Sequence, residues 1–440
     1  MIDHFMSSNT TEPDLFSSSV INAPSSAFTI PIYNKELFTK SKFKDHKSLV
    51  QARIDNDISR IKQIKASHLE PQVNPTDYYV PYFGFVSDVN GVYVAAFKAG
   101  TPLIREVLMM DTGSVLIWWN CNPCKNCIKR SRLYDPRRSS SHHFISCDDP
   151  ICKDGGFGCR QSDYSCAYKI NYADGGYSRG EIGSDKFTTT TDTVLLDRMV
   201  FGCSRDVEDV NQQEGRVTGV LGLNRGKYSL IGQMNAQNFT VCLPAHYGEG
   251  KNELRIHVLP PYYYPDSVTV PLVDNPARLS YYVGLNGISV GGERVKIPDD
   301  AWIIKPNGTG GVIIDLGTFL TWLESRVFHP FNDLFVKKAA ELGLRRVQIG
   351  EIFQSCFKMP TPTSNNIPSV EFHFSGVYKT FQLGPEQIMV KAGDSGFYCL
   401  AFAEETELQF SLIGSSQTQK TRLAFDLASK RLNMNPNYCN

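Results

Sequence analysis

The feature that most constrains the fold of this chain is a short pattern that occurs once in each half. In the first half, an apolar run is followed by the acidic turn Asp111-Thr112-Gly113-Ser114. In the second half, another apolar run is followed by Asp315-Leu316-Gly317-Thr318. An apolar-apolar-Gly triplet comes after each turn at a similar separation, at residues 220–222 and 412–414. The same features in the same order predict a duplicated lobe with approximate two-fold symmetry.

The balance of charge excludes several classes of partner. The chain of 440 residues has 45 Lys and Arg against 45 Asp and Glu, so its formal net charge is zero. This removes any charge-based reason to expect a nucleic acid or an anionic membrane as partner. No run approaches the ~18 consecutive apolar residues of a membrane-spanning helix, so no such span is predicted. The length allows two or three domains.

Short apolar or alternating runs, separated by Gly, Pro, Asn and Asp, indicate a mainly β chain of the barrel or sandwich type. Strands are predicted at residues 93–97, 107–110, 115–119, 199–203, 220–223, 239–243, 281–290, 312–314 and 412–413. One clear helix is predicted over residues 325–342, ended by Gly343. The Pro- and Tyr-rich stretch 259–276 is expected to be a linker or crossover.

The twelve cysteines suggest disulfides formed in an oxidising compartment, because they are even in number and seven of them crowd into residues 121–166. The alternative is a zinc site formed by clustered cysteines and two nearby histidines, namely Cys121, Cys124, Cys127, Cys147, His142 and His143. Zinc knuckles usually pair two-Cys arms around a short loop, and this cluster does not repeat in that way.

Signals for the compartment disagree with one another. Glycosylation sequons at Asn9, Asn238 and Asn307 agree with secretion. Residues 1–34 contain no Lys or Arg and no apolar core, so no secretory signal is visible. A missing or altered start explains the twelve cysteines better than a reduced, intracellular protein does.

Residues 35–68 are basic, with nine Lys and Arg against four Asp and Glu. Ile54, Ile58, Ile61 and Ile64 recur at near-helical spacing, which predicts an amphipathic helix. One interpretation is a solvated basic helix at a domain edge. The other is an inhibitory prosegment whose Lys side chains cover an acidic site.

The paired acidic turns predict a specific chemistry. Two carboxylates that meet across a two-fold axis cannot both ionise cheaply, so they share one proton. The ionised partner then takes a proton from a bound water, and the protonated partner polarises the carbonyl that this water attacks. Gly113 and Gly317 allow tight turns, while Ser114 and Thr318 can orient the outer carboxylate oxygens. Asp394 is rejected as the second acid because no hydroxyl residue ends its turn.

These residues resemble the pepsin-like aspartic proteases, and within them the plant nepenthesin-like branch. The resemblance covers about residues 76–439 and rests on the following motifs, in chain order: "AGTP", "MDTGSVLIWWNCNPCKNC", "YADGGYSRGEIGSDKFT", "FGC", "GVLGLNRGKYSLIGQM", "VPLVDNPARLSYYVGLNGISVGG", "GGVIIDLGT", "YCLAF" and "LIGSSQTQKTRLAFDLASKRL". It implies a mainly β, bilobal double β-barrel with pseudo-two-fold symmetry, preceded by a partly helical prosegment.

The resemblance also implies roles for particular residues. Asp111 and Asp315 match the catalytic pair, supported by Thr112, Gly113, Ser114, Gly317 and Thr318. Tyr172 matches the flap tyrosine, and Trp118 matches the tryptophan that supports it. The expected units are residues 1–76 as an N-terminal extension and prosegment, 77–258 as the first lobe, and 259–440 as the second. The implied partners are a polypeptide substrate and the chain's own prosegment, in a monomer without metal or cofactor.

Three positions depart from the family pattern. Leu316 stands where the family has Ser or Thr, so one of two hydroxyls that cross the axis is missing. A lost buried hydrogen bond costs about 1–3 kcal/mol, which makes weakened catalysis credible. Val115 replaces the usual acid, and "RLNMNP" replaces a Gly-aromatic pair. The rival function is a catalytically weak or inactive homologue that acts as a protein-binding inhibitor or decoy.

Overall fold

The fold is mainly β, as the sequence predicts. The computed structural model describes residues 27–35, 43–66, 93–127, 133–171, 177–191, 193–208, 217–246, 252–257, 264, 267–276, 278–377, 379–393, 396–406 and 410–439. Within these residues, none of the helices is long and apolar enough to cross a lipid bilayer.

The described strands, β1 to β28 in chain order, are Ala27–Asn34, Tyr93–Ala99, Ile104–Asp111, Trp118–Lys125, His143–Phe144, Gly158–Arg160, Ser165–Asn171, Tyr177–Thr188, Val194–Glu208, Gly219–Gly222, Asn238–Cys242, Glu253–His257, Val268–Asn275, Arg278–Val283, Leu285–Val290, Glu293–Arg294, Val312–Ile314, Thr321–Glu324, Arg346–Ile349, Phe353–Lys358, Val370–Phe374, Phe381–Gln382, Met389–Lys391, Phe397–Leu400, Phe402–Glu405, Ser411–Ile413, Arg422–Asp426 and Arg431–Asn435. The α-helices, α1 to α6, are His46–Ala66, Pro150–Asp154, Leu230–Gln233, Ser325–Glu341, Pro385–Ile388 and Ser415–Thr418. Single 3₁₀ turns cover Pro136–Arg138 and Asp299–Trp302.

The first acidic turn leaves the end of β3 and is held between two neighbouring strands. Strand β10 runs parallel to β3 with Gly222 opposite Asp111, and it pairs antiparallel with β4 through Val220 and Trp118. The triplet at residues 220–222 therefore lies beside the acid that precedes it by more than a hundred residues.

The second acidic turn is built in the same way. Strand β26 runs parallel to β17 with Ile413 opposite Ile314, and it pairs antiparallel with β18 through Leu412 and Trp322. The internal repeat expected from the sequence is thus a repeat of strand topology.

Each triplet ends in glycine because the chain there passes against backbone. A Cβ on Gly222 would lie 2.7 Å from the Leu116 carbonyl oxygen. A Cβ on Gly414 would lie 2.2 Å from the carbonyl oxygen of Leu320. Any larger residue would push the triplet away from the acidic turn that it supports.

The N-terminal part of the chain belongs to the same framework. Strand β1 pairs antiparallel with both β12 and β2, and its Ile30 and Ile32 are fully buried. The predicted amphipathic helix is present as α1, which buries Val50, Ile54 and Ile61. Ile58 is partly buried, and the side chain of Ile64 lies outside the described residues.

The twelve cysteines form six disulfides: Cys121–Cys203, Cys124–Cys127, Cys147–Cys159, Cys152–Cys166, Cys242–Cys439 and Cys356–Cys399. The expectation of disulfides is therefore confirmed. The sulfurs of the proposed zinc alternative are all engaged in these bonds. His142 lies instead in a buried network, with its Nδ1 3.0 Å from the Tyr134 hydroxyl.

Among the local predictions, one helix is confirmed, whereas one strand, the linker and one glycosylation sequon differ from expectation. The helix predicted over residues 325–342 is confirmed as α4, and Gly343 follows it with φ +81°. The strand expected at residues 115–119 begins only at Trp118, because residues up to 117 complete the acidic turn. The expected linker contains strand β13, which pairs with β14 and β28. The sequon Asn238 lies buried in β11, whereas Asn307 is exposed.

Candidate functional site

The structure brings the two acidic turns together around one buried side chain. Nη2 of Arg60 donates to Oδ1 of Asp111 at 2.6 Å and to Oδ1 of Asp315 at 2.6 Å. A single nitrogen bonds to both, so these carboxylate oxygens lie within two hydrogen-bond lengths of each other. All three side chains are at most 4% exposed.

Each carboxylate is also held by its own turn, in a matching way. The Gly113 N–H donates to Oδ1 of Asp111 at 2.8 Å, and the Ser114 hydroxyl donates to the other oxygen. In the second turn, the Gly317 N–H donates to Oδ1 of Asp315 at 3.2 Å, and the Thr318 hydroxyl donates to Oδ2 at 2.6 Å. The outer oxygens are thereby fixed, and the inner oxygens face each other.

The link across the axis is asymmetric. The Leu316 N–H donates to the Thr112 hydroxyl at 3.2 Å, and this hydroxyl lies 3.2 Å from Oδ1 of Asp315. Leu316 is buried and has no hydroxyl with which to make the reciprocal bond. A side chain of the first turn therefore forms a hydrogen bond with the backbone of the second turn, but Leu316 cannot form the reciprocal bond.

Arg60 reaches the acidic pair from the face of helix α1. Its Nε also donates to Oδ2 of Asp315, so Asp315 receives two of the three bonds. The guanidinium packs directly on the second turn, since a Cβ on Gly317 would lie 2.8 Å from its Cζ. A planar cation with several fixed donors matches two carboxylates better than the single ammonium of Lys does.

Helix α1 is fixed to the segment that follows the second turn by a buried carboxylate. Asp57 accepts hydrogen bonds from the N–H groups of Phe319 and Leu320, each at 2.7 Å, and from Nε1 of Trp322 at 3.1 Å. The Arg53 guanidinium lies 5.0 Å from the centre of the Phe319 ring. These contacts join α1 to residues 319–322 over about one helical turn.

The sequence did not identify these residues. Lysines were expected to cover the acidic site, and this was wrong, because an arginine contacts both carboxylates. Arg53, Asp57 and Arg60 share the buried helix face with Ile54 and Ile61. Charged residues at i, i+4 and i+7 beside an apolar stripe were the available signal, since such a stripe normally excludes unpaired charge.

The two carboxylates have different environments. Burial raises the pKa of Asp111 above its ordinary value, and repulsion from Asp315 adds to this rise against the attraction of Arg60. Burial acts in the same direction on Asp315, but the charge of Arg60 and the bonds from Arg60, Thr318 and Gly317 hold its pKa below the ordinary value. The Arg60 guanidinium and the bonds within the second turn therefore favour the charged form of Asp315 while α1 is in place.

Asp57 is a third titratable group near the pair. Burial raises the pKa of Asp57 to about 7, although the N–H groups of Leu320 and Phe319 and the Trp322 indole favour its charged form. The pKa of an ordinary Asp is about 4, so burial against residues 319–322 moves the titration of Asp57 close to neutral pH.

The two aromatic residues predicted from the resemblance lie in different parts of the chain. Trp118 is fully buried and pairs with the triplet strand β10. Tyr172 lies outside the described residues. The sequence interpretation missed Trp322, which occupies the matching position in the second turn and donates to Asp57. Its signal was available, since Trp118 and Trp322 each come seven residues after an acid.

Within the described part of the chain, no three His, Cys, Asp or Glu side chains lie close enough to hold a metal ion. What the arrangement can do chemically rests on the two carboxylates. Two buried carboxylates this close cannot both ionise cheaply once the cation is removed, and such a pair can share a proton and activate a water.

Comparisons with known proteins agree with this geometry. The family model described as xylanase inhibitor N-terminal matches residues 93–255, and the one described as xylanase inhibitor C-terminal matches residues 280–436. The chain is 30% identical to Protein ASPARTIC PROTEASE IN GUARD CELL 2 of Arabidopsis thaliana, over 98% of this chain and 91% of that protein. It is 29% identical to aspartic proteinase nepenthesin-2 of Nepenthes gracilis, over 80% and 78%.

Solved structures show the same fold. A crystal structure named edgp has a TM-score of 0.63 at 20% identity, over 79% of this chain and 92% of that chain. The crystal structure of basic 7S globulin from soybean has a TM-score of 0.60 at 20% identity, over 78% and 90%. At this level of identity the likeness concerns the fold alone.

Proposed function

The chain belongs to the plant nepenthesin-like branch of the pepsin-like aspartic protease family, and from this premise we propose that it is an aspartic endopeptidase that works best in acid. Asp111 and Asp315 are the proposed catalytic residues. The proposal rests chiefly on the observation that one Arg60 nitrogen bonds to both carboxylates, so their Oδ1 atoms lie within two hydrogen-bond lengths of each other. Two buried carboxylates this close cannot both ionise cheaply, which favours a shared proton.

The proposed reaction uses these two side chains and a water. The ionised member of the pair removes a proton from the water, which attacks the peptide carbonyl, while the protonated member donates a hydrogen bond to the carbonyl oxygen. Thr112, Ser114 and Thr318 keep the carboxylates oriented through the bonds described above. The two carboxylates titrate as a pair, so activity follows two apparent pKa values that belong to both.

We propose that the described state is the zymogen. Three observations support this: α1 covers the acidic pair, Arg60 neutralises it, and Asp57 fixes the helix to residues 319–322. Arg is not deprotonated at any physiological pH, so release of α1 requires protonation of the carboxylates or cleavage of the chain. Residues 28–76 are the proposed prosegment, followed by lobes at 77–258 and 259–440.

Two further assignments complete the proposal. Tyr172 acts as the flap residue that closes over a polypeptide substrate, and Trp118 supports it. Six disulfides favour a secreted or vacuolar protein, since such bonds persist in oxidising compartments. The proposed oligomeric state is a monomer.

The test is cleavage of a denatured protein at acid pH by the processed chain, with and without a statine-type inhibitor. Asp111→Asn and Asp315→Asn are expected to abolish cleavage, while Asp299→Asn, an exposed aspartate, leaves it unchanged. Cleavage retained by Asp111→Asn overturns the mechanism. If the processed chain neither cleaves the substrate nor binds the inhibitor, the non-catalytic, protein-binding rival is supported. Leu316 is the main reason to consider that rival.

A further inference from the structure

A loop beneath the first acidic turn fixes the backbone of that turn. We call residues 222–226 the support loop. Its Leu223 N–H donates to the carbonyl oxygen of Asp111 at 2.8 Å. The side-chain amide of Asn224 donates to the carbonyl oxygen of Gly113 at 3.1 Å. A movement of the support loop therefore moves the Asp111 carboxylate.

Strand β14 has the same relationship to the second acidic turn. It pairs antiparallel with β17, with Tyr281 opposite Ile314, the residue immediately before Asp315. A movement of β14 is transmitted through this pairing to the Asp315 turn.

Two side chains join the support loop to β14. The Tyr281 hydroxyl donates to the carbonyl oxygen of Leu223 at 2.7 Å, and both residues are fully or almost fully buried. Arg225 donates through Nη2 to the carbonyl oxygens of Arg278 and Ser280, each at 3.3 Å. The two acidic turns are thus connected by a second route below the carboxylates.

Arg225 adds contacts along the start of β14. Its Nε and its backbone N–H each lie 3.4 Å from the Leu279 carbonyl oxygen. Its Nη1 pairs with Asp274 at 2.8 Å on a more exposed side, where half of the Asp274 side chain is accessible. The guanidinium of Arg225 therefore donates hydrogen bonds to backbone carbonyls on its buried side and forms an ion pair with a carboxylate on its exposed side.

We propose that Tyr281 and Arg225 are positioning residues that set the spacing of the two carboxylates and compensate for the hydroxyl that Leu316 lacks. This inference rests on the proposed function. The Thr112 hydroxyl makes the side-chain bonds described between the turns themselves, to the Leu316 N–H and to Oδ1 of Asp315. Because Leu316 has no hydroxyl to make the reciprocal bond, the spacing of the two carboxylates depends more strongly on the link through Tyr281 and Arg225. A displacement of ~1 Å at reacting atoms costs ~100-fold in rate.

The first test compares two single-atom deletions in neighbouring residues of the processed enzyme. Tyr281→Phe removes the hydroxyl that bonds Leu223. Tyr282→Phe is the matched control, since its equally buried ring lies beside Gly311 instead. We expect Tyr281→Phe to lower kcat about tenfold with less than a twofold change in KM. The control changes neither by more than about twofold.

A background substitution separates positioning from general stability. In the Leu316→Thr background, the added hydroxyl can form the reciprocal hydrogen bond between the two acidic turns. Tyr281→Phe is therefore expected to lower kcat by less than about threefold in this background. An equal loss of kcat in both backgrounds, or no loss in either, overturns the inference.

A second pair of variants tests Arg225 in the same assay. Arg225→Gln removes the bonds to backbone carbonyls and is expected to lower kcat about tenfold. Asp274→Asn removes the exposed ion pairs of Asp274 with Arg225 and Lys430 and is expected to change kcat by less than about twofold. If Asp274→Asn has the larger effect, the hydrogen bonds from Arg225 to backbone carbonyls do not set the spacing of the carboxylates, and the role proposed for Arg225 is overturned. Arg225→Lys replaces Arg225→Gln if the latter does not fold.

Hydrogen exchange in the full-length chain gives a readout that does not need activity. Tyr281→Phe is expected to accelerate exchange of backbone amides in both acidic turns, including those of Gly113 and Gly317. Faster exchange confined to residues near 281 overturns the inference. If the unsubstituted processed chain cleaves no substrate, the proposed function fails, and this exchange experiment still decides whether the link exists.

Discussion

The hydroxyl of Thr112 lies 3.2 Å from the backbone nitrogen of Leu316 and accepts its hydrogen bond, but Leu316 has no hydroxyl with which to return it. The two acidic turns therefore differ in chemistry although their strand topology is the same. The effect of this difference on catalytic activity can be measured by substituting Leu316.

Leu316→Thr is expected to raise kcat of the processed enzyme about tenfold. The added hydroxyl can bond to the first turn, and a buried hydrogen bond contributes about 1–1.5 kcal/mol. Leu316→Val is the matched control, because Val has the branched shape of Thr without the hydroxyl. Steady-state kinetics at acid pH measure both. An equal gain in the two variants would attribute the effect to shape instead of hydrogen bonding.

Arg60→Gln is expected to unblock the site in the full-length chain. Removing a buried charged partner costs about 3–5 kcal/mol, so α1 should detach and the unprocessed chain should bind a statine-type inhibitor. Lys62→Gln, on the exposed face of the same helix, is the control and should leave the site closed. Calorimetric titration with the inhibitor distinguishes the two. Failure of Arg60→Gln to bind would mean that α1 stays in place without its cation.

Asp57 gives the attachment of α1 a defined pH dependence. Its pKa is raised to about 7 in the attached state by burial, while a detached helix has an ordinary value of about 4. A raised pKa means that its contribution to attachment is complete below pH ~4 and is lost as pH rises through ~7. Hydrogen-exchange protection of α1 should therefore fall about tenfold or more between pH 5 and pH 8.

Asp57→Asn should remove this dependence, because Asn does not titrate. Protection of α1 in that variant is expected to change by less than about twofold between pH 5 and pH 8. Asp315 acts in the opposite direction. Its lowered pKa contributes attachment that is lost as pH falls. A wild-type profile that rises from pH 5 to pH 8 would contradict the assignment for Asp57.

The disulfides should contribute unequally to stability. Cys242–Cys439 joins residues 197 apart, whereas Cys124–Cys127 joins residues 3 apart. Loop-closure entropy predicts that removing the first costs about 3.5 kcal/mol more than removing the second. Paired Cys→Ser variants compared by denaturant unfolding measure this difference. Equal losses would show that the entropy of the unfolded chain does not control it.

Much of the framework could be predicted from the sequence because its signals are local. A buried run, an acid, a glycine and a hydroxyl residue specify a tight turn at a strand end, and the repeated triplet indicates a second copy. The pairing of Gly222 with Asp111 and of Ile413 with Ile314 shows that the repeat in sequence is a repeat in structure, although the repeat alone did not give the register. Helix α4 was equally readable from its apolar spacing and from Gly343.

The residues that control the two acids could not be predicted in this way. Arg60 is 51 residues from Asp111 and 255 from Asp315, and the spacing of residues along α1 does not say which surface its buried face will contact. The link from Tyr281 to Leu223 has the same character, since it joins segments 58 residues apart.

The order of amino acids was enough to establish that two equivalent acidic turns exist and that a basic amphipathic helix precedes them. Which cation neutralises the acids, and which acid receives more of its hydrogen bonds, emerged only from the folded chain. The physical reason is that charge, burial and hydrogen bonding at Asp111 and Asp315 depend on groups brought together from distant segments. Periodicity reports on one segment at a time.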